Sequence, residues 1–477
     1  MEHPLTPQKM VETPGATDYA KVNDDLEIQN SLSSWRVHRH VIIAITSVLI
    51  TFMSAGLILG FGPLYSMLVA EGQWSELCDP NEPLEGPTCA PQEVHLQYIF
   101  SASFQCLSIA NAAFGLLLDI VGPRLCVTFG LLISFMGHLL IAYGDSETGM
   151  GYSIIAGAAM LAIGGYGLYI CSFQFVKLYK RQGFLSSAIS GLFNASGYVF
   201  MMLKIHGVTR RGFYTGYAIF TLVALVVCFV VFPLRSLTDP NTHYTLSGFS
   251  CRLPRFAKPQ NVWPQLKEQL KRPDLWFFGV YFGWISTWFG FCGGAIPNII
   301  FQLAGDDTAM ALDYIDYVLP MTSNASFLFT PFVGLFIDKY GFRVGFAATS
   351  MFVLLFIGFL NINSLKVQVL TFIWYALAQG FFYALQFSYI IVCFPAELYG
   401  SMQCFLALWS LSMGFLNYIF TPWAQNTLEG DYTWVLVMFA IPVVVSYLFL
   451  GLLHKGIYVE AADEADAELG EKKLSVA

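Results

Sequence analysis

The sequence predicts an all-α protein that crosses a membrane many times. Two compositional facts carry this: of 477 residues 56% are hydrophobic and only 12% are charged, and the mean hydropathy is +0.59. A soluble domain carries about 25% charged residues. The third fact is spacing, because apolar runs long enough for a span of about 20 residues recur along the whole chain.

Residues 1–40 contain Pro4, Pro7 and Pro14, are polar and acidic over the first 35, and have no short apolar core followed by a cleavage site. They read as a cytosolic tail. Six apolar runs follow, at about 41–69, 95–118, 125–144, 150–176, 184–205 and 213–234. Residues 235–273 form a polar cytosolic loop, and six further runs occupy about 275–303, 313–337, 344–363, 367–394, 402–423 and 433–453. The expected organisation is a six-helix half at 41–234, a second at 274–454 and a cytosolic tail at 455–477. With both tails inside, 20 of the 24 basic residues fall on cytosolic segments, while the loop from Glu71 to Glu93 carries six acids and no base. The positive-inside rule then fixes orientation and an even number of spans.

Of the ten cysteines, Cys78 and Cys89 alone fall in a predicted extracytosolic loop, where an oxidising compartment lets them pair. No metal-ligand spacing occurs among the others, and no cofactor is implied. The net charge of −8 supplies no basic face for nucleic acid. Asn194-Ala195-Ser196 and Asn324-Ala325-Ser326 match the glycosylation pattern, but both lie inside apolar runs out of reach of that machinery.

An internal repeat defines the architecture. GLLLDIVGPR (Gly115, Asp119, Gly122, Arg124) and GLFIDKYGFR (Gly334, Asp338, Gly341, Arg343) share four residue types at one spacing, 219 positions apart. The first glycine is expected to allow close helix approach and the second a tight turn, while the aspartate caps a neighbouring helix and the arginine anchors the turn. Arg343 with Glu397, and Asp119 with Lys180, are the expected cytosolic latches. Two such halves match the parallel-repeat plan of major facilitator transporters.

In that plan the first, fourth, seventh and tenth helices line a central cavity. Residues 41–70, 149–176, 275–305 and 367–396 contain no Asp, Glu, Lys or Arg, so the expected cavity is uncharged and transport uncoupled to ions. Lys204 is expected to snorkel outward and His138 to be a hydrogen-bonded packing residue. Gly60, Gly62 and Pro63 in the first helix, and Gly293, Gly294, Pro297 and Asn298 in the seventh, suggest matched helix breaks offering backbone groups to a solute. Close packing through Gly56-x-x-x-Gly60 is the equally weighted alternative. Tyr166, Gln174, Asn194, Trp284, Gln379, Tyr383 and Gln386 complete the candidate binding residues, for each of which interhelical packing competes with solute contact.

GFGPLYSMLVAEGQWSELC (60–78) and QGFFYALQFSYIIVCFPAELYG (379–400) resemble the sodium-independent system-L facilitators of the major facilitator superfamily and their nucleobase-carrying relative. The resemblance implies facilitated, uniport-like movement of large neutral amino acids, with purine or nucleobase transport as the alternative and a non-transporting nutrient sensor behind both. It places family patterns on Gly60 and Gly62 and on Gly380, Phe381 and Phe382. The sequence departs from the family in its short middle loop and in Phe61, where tryptophan is expected. The partners implied are a small neutral or zwitterionic solute and the lipid bilayer of a plasma, endolysosomal or vacuolar membrane. An enzyme is not expected, because no cavity helix supplies an acid/base pair or a metal cluster.

Overall fold

The computed structural model describes residues 45–80, 87–173, 182–232, 263–305, 307–395 and 398–455, though not the side chains of Asp119, Ile120, residues 182–187, Asp338 and Tyr399. Every regular element among the described residues is helical. Among the described residues nine helices are long and apolar enough to cross a bilayer, and two bent pairs raise the number to eleven. In chain order, α1 is the bent pair Ile45–Ser54 and Leu57–Ala70; α2 is Ala90–Val121, α3 Pro123–Tyr143 and α4 Gly151–Ser172. Helix α5 is Gln182–Ala195, continued by a tighter 3₁₀ stretch Ser196–Lys204, and α6 is Arg210–Val231. A short helix, Trp263–Gln269, precedes α7, Pro273–Ala304. Helix α8 is the bent pair Thr308–Leu328 and Thr330–Ile337, α9 is Lys339–Leu360, α10 Leu365–Cys393, α11 Gly400–Thr427 and α12 Thr433–Leu452. The chain is a multi-pass membrane protein.

The two repeat turns have one backbone geometry. Gly122 has φ 82° and ψ 169°, and Gly341 φ 83° and ψ 171°. Side chains other than glycine rarely reach this region, which explains why the sequence spends a glycine at each turn. Each arginine two residues later then caps the end of a distant helix. Arg124 Nε donates to Phe232 O beyond α6, and Arg343 Nε to Leu453 O beyond α12, both at 2.7 Å. The last carbonyls of a helix are those that its own hydrogen-bond ladder leaves over, and at these two helix ends a guanidinium meets them. Arg124→Met or Arg343→Met is expected to cost about 1–3 kcal/mol, read as a lowered detergent melting point. An unchanged midpoint in both variants contradicts the capping role.

Several expectations at these motifs need correction or fall outside the described residues. Gly115 does not mediate close packing, since a Cβ built there meets nothing within 4 Å. The side chains of Asp119 and Asp338, and all of Lys180 and Glu397, lie outside the described residues, and so do both expected latches. Gly334 sits half-buried in the second arm of α8. Helix α7 is not broken: Pro297 is accommodated within a continuous helix, and the second bend of the molecule, 44°, lies in α8 instead. Gly293 and Gly294 serve contact, with Phe100 and the Gln97 carbonyl where a Cβ would stand.

Cys78 and Cys89 are joined as a disulfide with Cα atoms 5.7 Å apart. This bridge marks one end of the bundle, the disulfide end, and the two repeat turns mark the other, the arginine-turn end.

Candidate functional site

Helices α1, α2, α7, α8 and α10 enclose a narrow central cleft of about 20 Å³, room for about one water molecule. Phe61 and Gly62 line it from α1, Phe100 from α2, Gly293 and Ile296 from α7, Ser323 and Asn324 from α8, and Tyr375 and Gln379 from α10. None of its lining residues is charged. Gln379 is 1% exposed and its Oε1 accepts no hydrogen bond among the described residues. Asn194 on α5 is equally buried, with neither amide atom partnered among them. Buried amides normally find partners, so these two are chemically incomplete.

The bend in α1 does not offer free backbone to a solute. Ser196 Oγ accepts from Gly56 N at 3.0 Å, Tyr217 Oη donates to Met53 O at 2.7 Å, and Asn324 Nδ2 reaches Leu59 O at 3.5 Å. Protein side chains thus occupy the groups that the break releases. Two of the three come from the tripeptides that mimic glycosylation sites. Gly60 does not line the cleft; its Cα lies so close to the Gly197 carbonyl that a Cβ would overlap the oxygen.

Other sequence candidates are distributed around the cleft. Tyr383 and Tyr166 both face Phe193, at centroid distances of 6.2 and 6.0 Å. Trp284 is not a cleft residue: it faces the lateral surface and its indole donates to Phe439 O at 3.1 Å. Gln386 Nε2 donates to Gln403 on α11 at 2.9 Å, and Asn111 on α2 donates to the same oxygen at 3.1 Å. Together with Ser108 and Ser410, 2.7 Å apart, these form a neutral polar seam between α2 and α11. Gln174 lies outside the described residues.

Both ends of the cleft are closed. At the arginine-turn end Tyr169 of α4 and Phe173 just beyond it meet Phe387 of α10 at 5.9 and 5.1 Å. At the disulfide end Lys204 Nζ pairs with Asp316 Oδ2 at 2.8 Å, and Ser66 bonds to both residues. Lys204 therefore does not snorkel free, because α8 presents a carboxylate that is 4% exposed. A second knot lies beside it. Glu93 in the first turn of α2 accepts from Tyr65 Oη at 2.6 Å, Thr88 at 3.1 Å and Gln97 at 3.0 Å. Gln97 also reaches Tyr432 Oη at 2.6 Å, and Tyr432 donates to Asn298 Oδ1 at 3.0 Å. Asn298 belongs to this closure rather than to the cleft.

Glu93 and Asp316 are buried carboxylates at the disulfide end, outside the lining of the cleft. Both escape a survey of the first, fourth, seventh and tenth helices for one reason: these acids come from α2 and α8 and turn inward at a helix end. Glu93 also precedes the apolar run at 95–118 by two residues, so hydropathy places it in the loop. His138 differs too. Its ring lies tilted at 45° against that of Tyr217, centroids 5.2 Å apart, and neither ring nitrogen has a hydrogen-bond partner among the described residues.

The cleft is thus lined by α1 and α2 from before residues 233–262 and by α7, α8 and α10 from after them. The sequence profile of the Major Facilitator Superfamily matches residues 45–418, and the chain belongs to that superfamily. It is 19% identical over 469 residues to equilibrative nucleobase transporter 1 of Bos taurus, an alignment covering 86% of this chain and 95% of that one. It is 28% identical over 175 residues to FMP42 of Saccharomyces cerevisiae, covering 36% of this chain and about a third (34%) of that protein. Over 114 residues it is 28% identical to arginine transporter 1 of Toxoplasma gondii, covering 22% and 21%. Among solved structures, a point mutant of the nucleoside transporter NupG superposes with a TM-score of 0.58 at 12% identity, covering 86% of this chain and 98% of that one.

Proposed function

We propose that the protein is a facilitative carrier that moves a small neutral or zwitterionic solute by rocking two six-helix halves, 41–234 and 274–454, about the central cleft. In this reading all of α1–α12 cross the membrane and both tails are cytosolic, which puts the disulfide outside, in a plasma, endolysosomal or vacuolar membrane. The observation that carries it is the uncharged cleft lined from both halves. Glu93 and Asp316 stand at its disulfide end, each already engaged, so they are read as parts of the closure.

Neutral amino acids are the first substrate class, resting on the system-L resemblance. A nucleobase is the second, favoured by the near full-length alignment with the bovine nucleobase carrier and by the aromatic side chains Phe61, Phe100 and Tyr375 in the lining. The cleft offers no carboxylate to a guanidinium, which weighs against arginine. Asn194, Gln379 and Tyr383 are the proposed polar contacts, with Gly62 and Tyr166 shaping the wall.

The test is counterflow in proteoliposomes with labelled leucine and adenine at clamped pH and sodium. One of the two is expected to exchange without an imposed gradient. Gln379→Leu is expected to lower its kcat/KM about 5- to 100-fold, the range for one lost buried hydrogen bond, with an unchanged melting point. Binding without flux of either solute instead favours a sensor.

A further inference from the structure

Glu93 is 1% exposed, and its oxygens accept from Tyr65 at 2.6 Å, Thr88 at 3.1 Å and Gln97 at 3.0 Å, three neutral donors. The ion pairs among the described residues join Lys204 to Asp316, Arg210 to Glu71 and Arg272 to Asp274, so none reaches it. Residues 81–86, which precede it and lie outside the described residues, contain Glu82 and Glu85 but no base. A buried charge without a partner is costly, and an ionisable side chain within a membrane bundle marks function. Gln97, one turn along α2, has a related deficit. It is also 1% exposed; its Nε2 donates to Glu93 and to Tyr432 Oη, while its Oε1 accepts nothing among the described residues. Tyr432 does not supply that bond, because Gln97 and Gln425 donate to its hydroxyl and its own proton goes to Asn298 Oδ1. Two electron-rich groups one turn apart thus lack a positive partner. A metal ion would need a cavity between them; a proton needs none.

The other titratable groups at this end do not compete for that role. Tyr65 of α1 and Tyr432 before α12 are members of the chain just described. His95, two residues on, turns to Trp74 and to Tyr152 of α4, and Tyr98 turns to Tyr418 of α11. In the loop before α2, Glu76 and Asp79 are exposed, and so are Glu147 before α4 and Glu429 and Asp431 before α12. Asp145 accepts from Gln73. Helix α7 presents only the amides of Asn298 and Gln302 here, and Asp316 of α8 is held by Lys204.

We propose that Glu93 is a proton-binding site of the closure: its carboxylate takes up one proton from the disulfide side as the two halves close there, and returns it to that side when they part. This rests on the carrier reading and adds a ligand to its closure. The proton goes to Oε1, the oxygen that receives one hydrogen bond where Oε2 receives two. Turning the Gln97 amide over then lets its Oε1 accept from the new carboxyl and from Tyr432, while Gln302 keeps donating to Asn298 Oδ1 at 3.0 Å, so the link between the halves persists. A neutral carboxyl is less costly to bury than a carboxylate. Acid therefore favours the closed end, and rising pH opens it. The lining of the cleft beyond is uncharged and does not pass the proton on, so the site sets the pH dependence of opening and drives no accumulation.

The experiment uses the full chain carrying Ser323→Cys in the cleft, without the other unpaired cysteines, labelled from the disulfide side by an impermeant thiol reagent between about pH 5 and pH 8. Dividing each rate by that of Glu93→Gln at the same pH removes the titration of the thiol itself. The quotient is expected to rise with pH, by up to about tenfold per unit, the linkage limit for one proton, and to do so in His95→Gln as well. Infrared difference spectra, acid minus neutral, are expected to show the carbonyl stretch of a neutral carboxyl that Glu93→Gln abolishes and Asp316→Asn keeps. A flat quotient overturns the proposal. So does an Asp316→Asn spectrum without the band, a result that stands even where Glu93→Gln fails to fold. A quotient that changes when sodium is replaced by N-methylglucamine at fixed pH also overturns it, because the occupant is then a metal ion. Both readouts are taken without solute, so their failure and a failure of counterflow are separate results.

Discussion

Removing Lys204 is expected to open the disulfide end far more than removing the charge of Asp316. The two residues form one ion pair, but their exposures differ: 22% for the Lys204 side chain and 4% for that of Asp316. Lys204→Ala leaves a carboxylate buried, with Ser66 still donating to it, a cost of about 3 kcal/mol, the lower end of the range for a broken buried pair. The chain can avoid that cost by hydrating Asp316, which requires α1 and α8 to separate. Asp316→Asn leaves a flexible ammonium that extends toward water, at a cost of about 1 kcal/mol or less. The measurement is labelling of Ser323→Cys in the cleft by a membrane-impermeant thiol reagent, on a background without the other unpaired cysteines. Lys204→Ala should raise the labelling rate from the disulfide side about a hundredfold, Asp316→Asn a few-fold at most, and Lys204→Met with Asp316→Leu should restore protection. Equal rates in the two single variants count against a gating role for this pair.

The ion pair also shows how sequence and structure divide the information. Long apolar runs, the duplicated turn glycines and the arginines two residues later are readable because each is a local pattern with a local cause: bilayer thickness, a left-handed torsion, an orphan carbonyl. Even so, the partners of Arg124 and Arg343 lie 108 and 110 positions away, and no local pattern names Phe232 or Leu453. The closure is less legible still. Ser66, Lys204 and Asp316 sit on three helices, and their union depends on how α1, α5 and α8 tilt together. A lone lysine near a helix end is best solvated by snorkelling, and only the packed bundle supplies the carboxylate that makes burial preferable. The tripeptides at Asn194 and Asn324 repeat the lesson. Their place in apolar runs argues against glycan attachment but names no other role, whereas Ser196 and Asn324 are what the broken α1 requires once it is folded.

Gly60→Leu and Gly62→Leu are expected to fail in different ways, although they are two residues apart on the same helix. A Cβ at Gly60 would overlap the Gly197 carbonyl oxygen, and one at Gly62 would overlap that of Ile315. Neither oxygen can move independently, since both belong to helical backbone. Gly197 is on α5, in the same proposed half as α1, so the first contact persists through the transport cycle. Gly60→Leu therefore strains a rigid half and should cost several kcal/mol of stability, beyond the roughly 1–3 kcal/mol typical of overpacking, with lowered melting point and expression. Ile315 is on α8, in the other half, and its approach to α1 exists only while the disulfide end is closed. Gly62→Leu blocks that approach without touching the interior of either half. It should keep a melting point near wild type, abolish counterflow, and leave Ser323→Cys permanently open to the impermeant reagent. The pair separates packing from gating with one chemistry at two positions. If Gly62→Leu unfolds the protein as severely as Gly60→Leu, or if it traps Ser323→Cys in the protected state, then α1 and α8 do not part at this end.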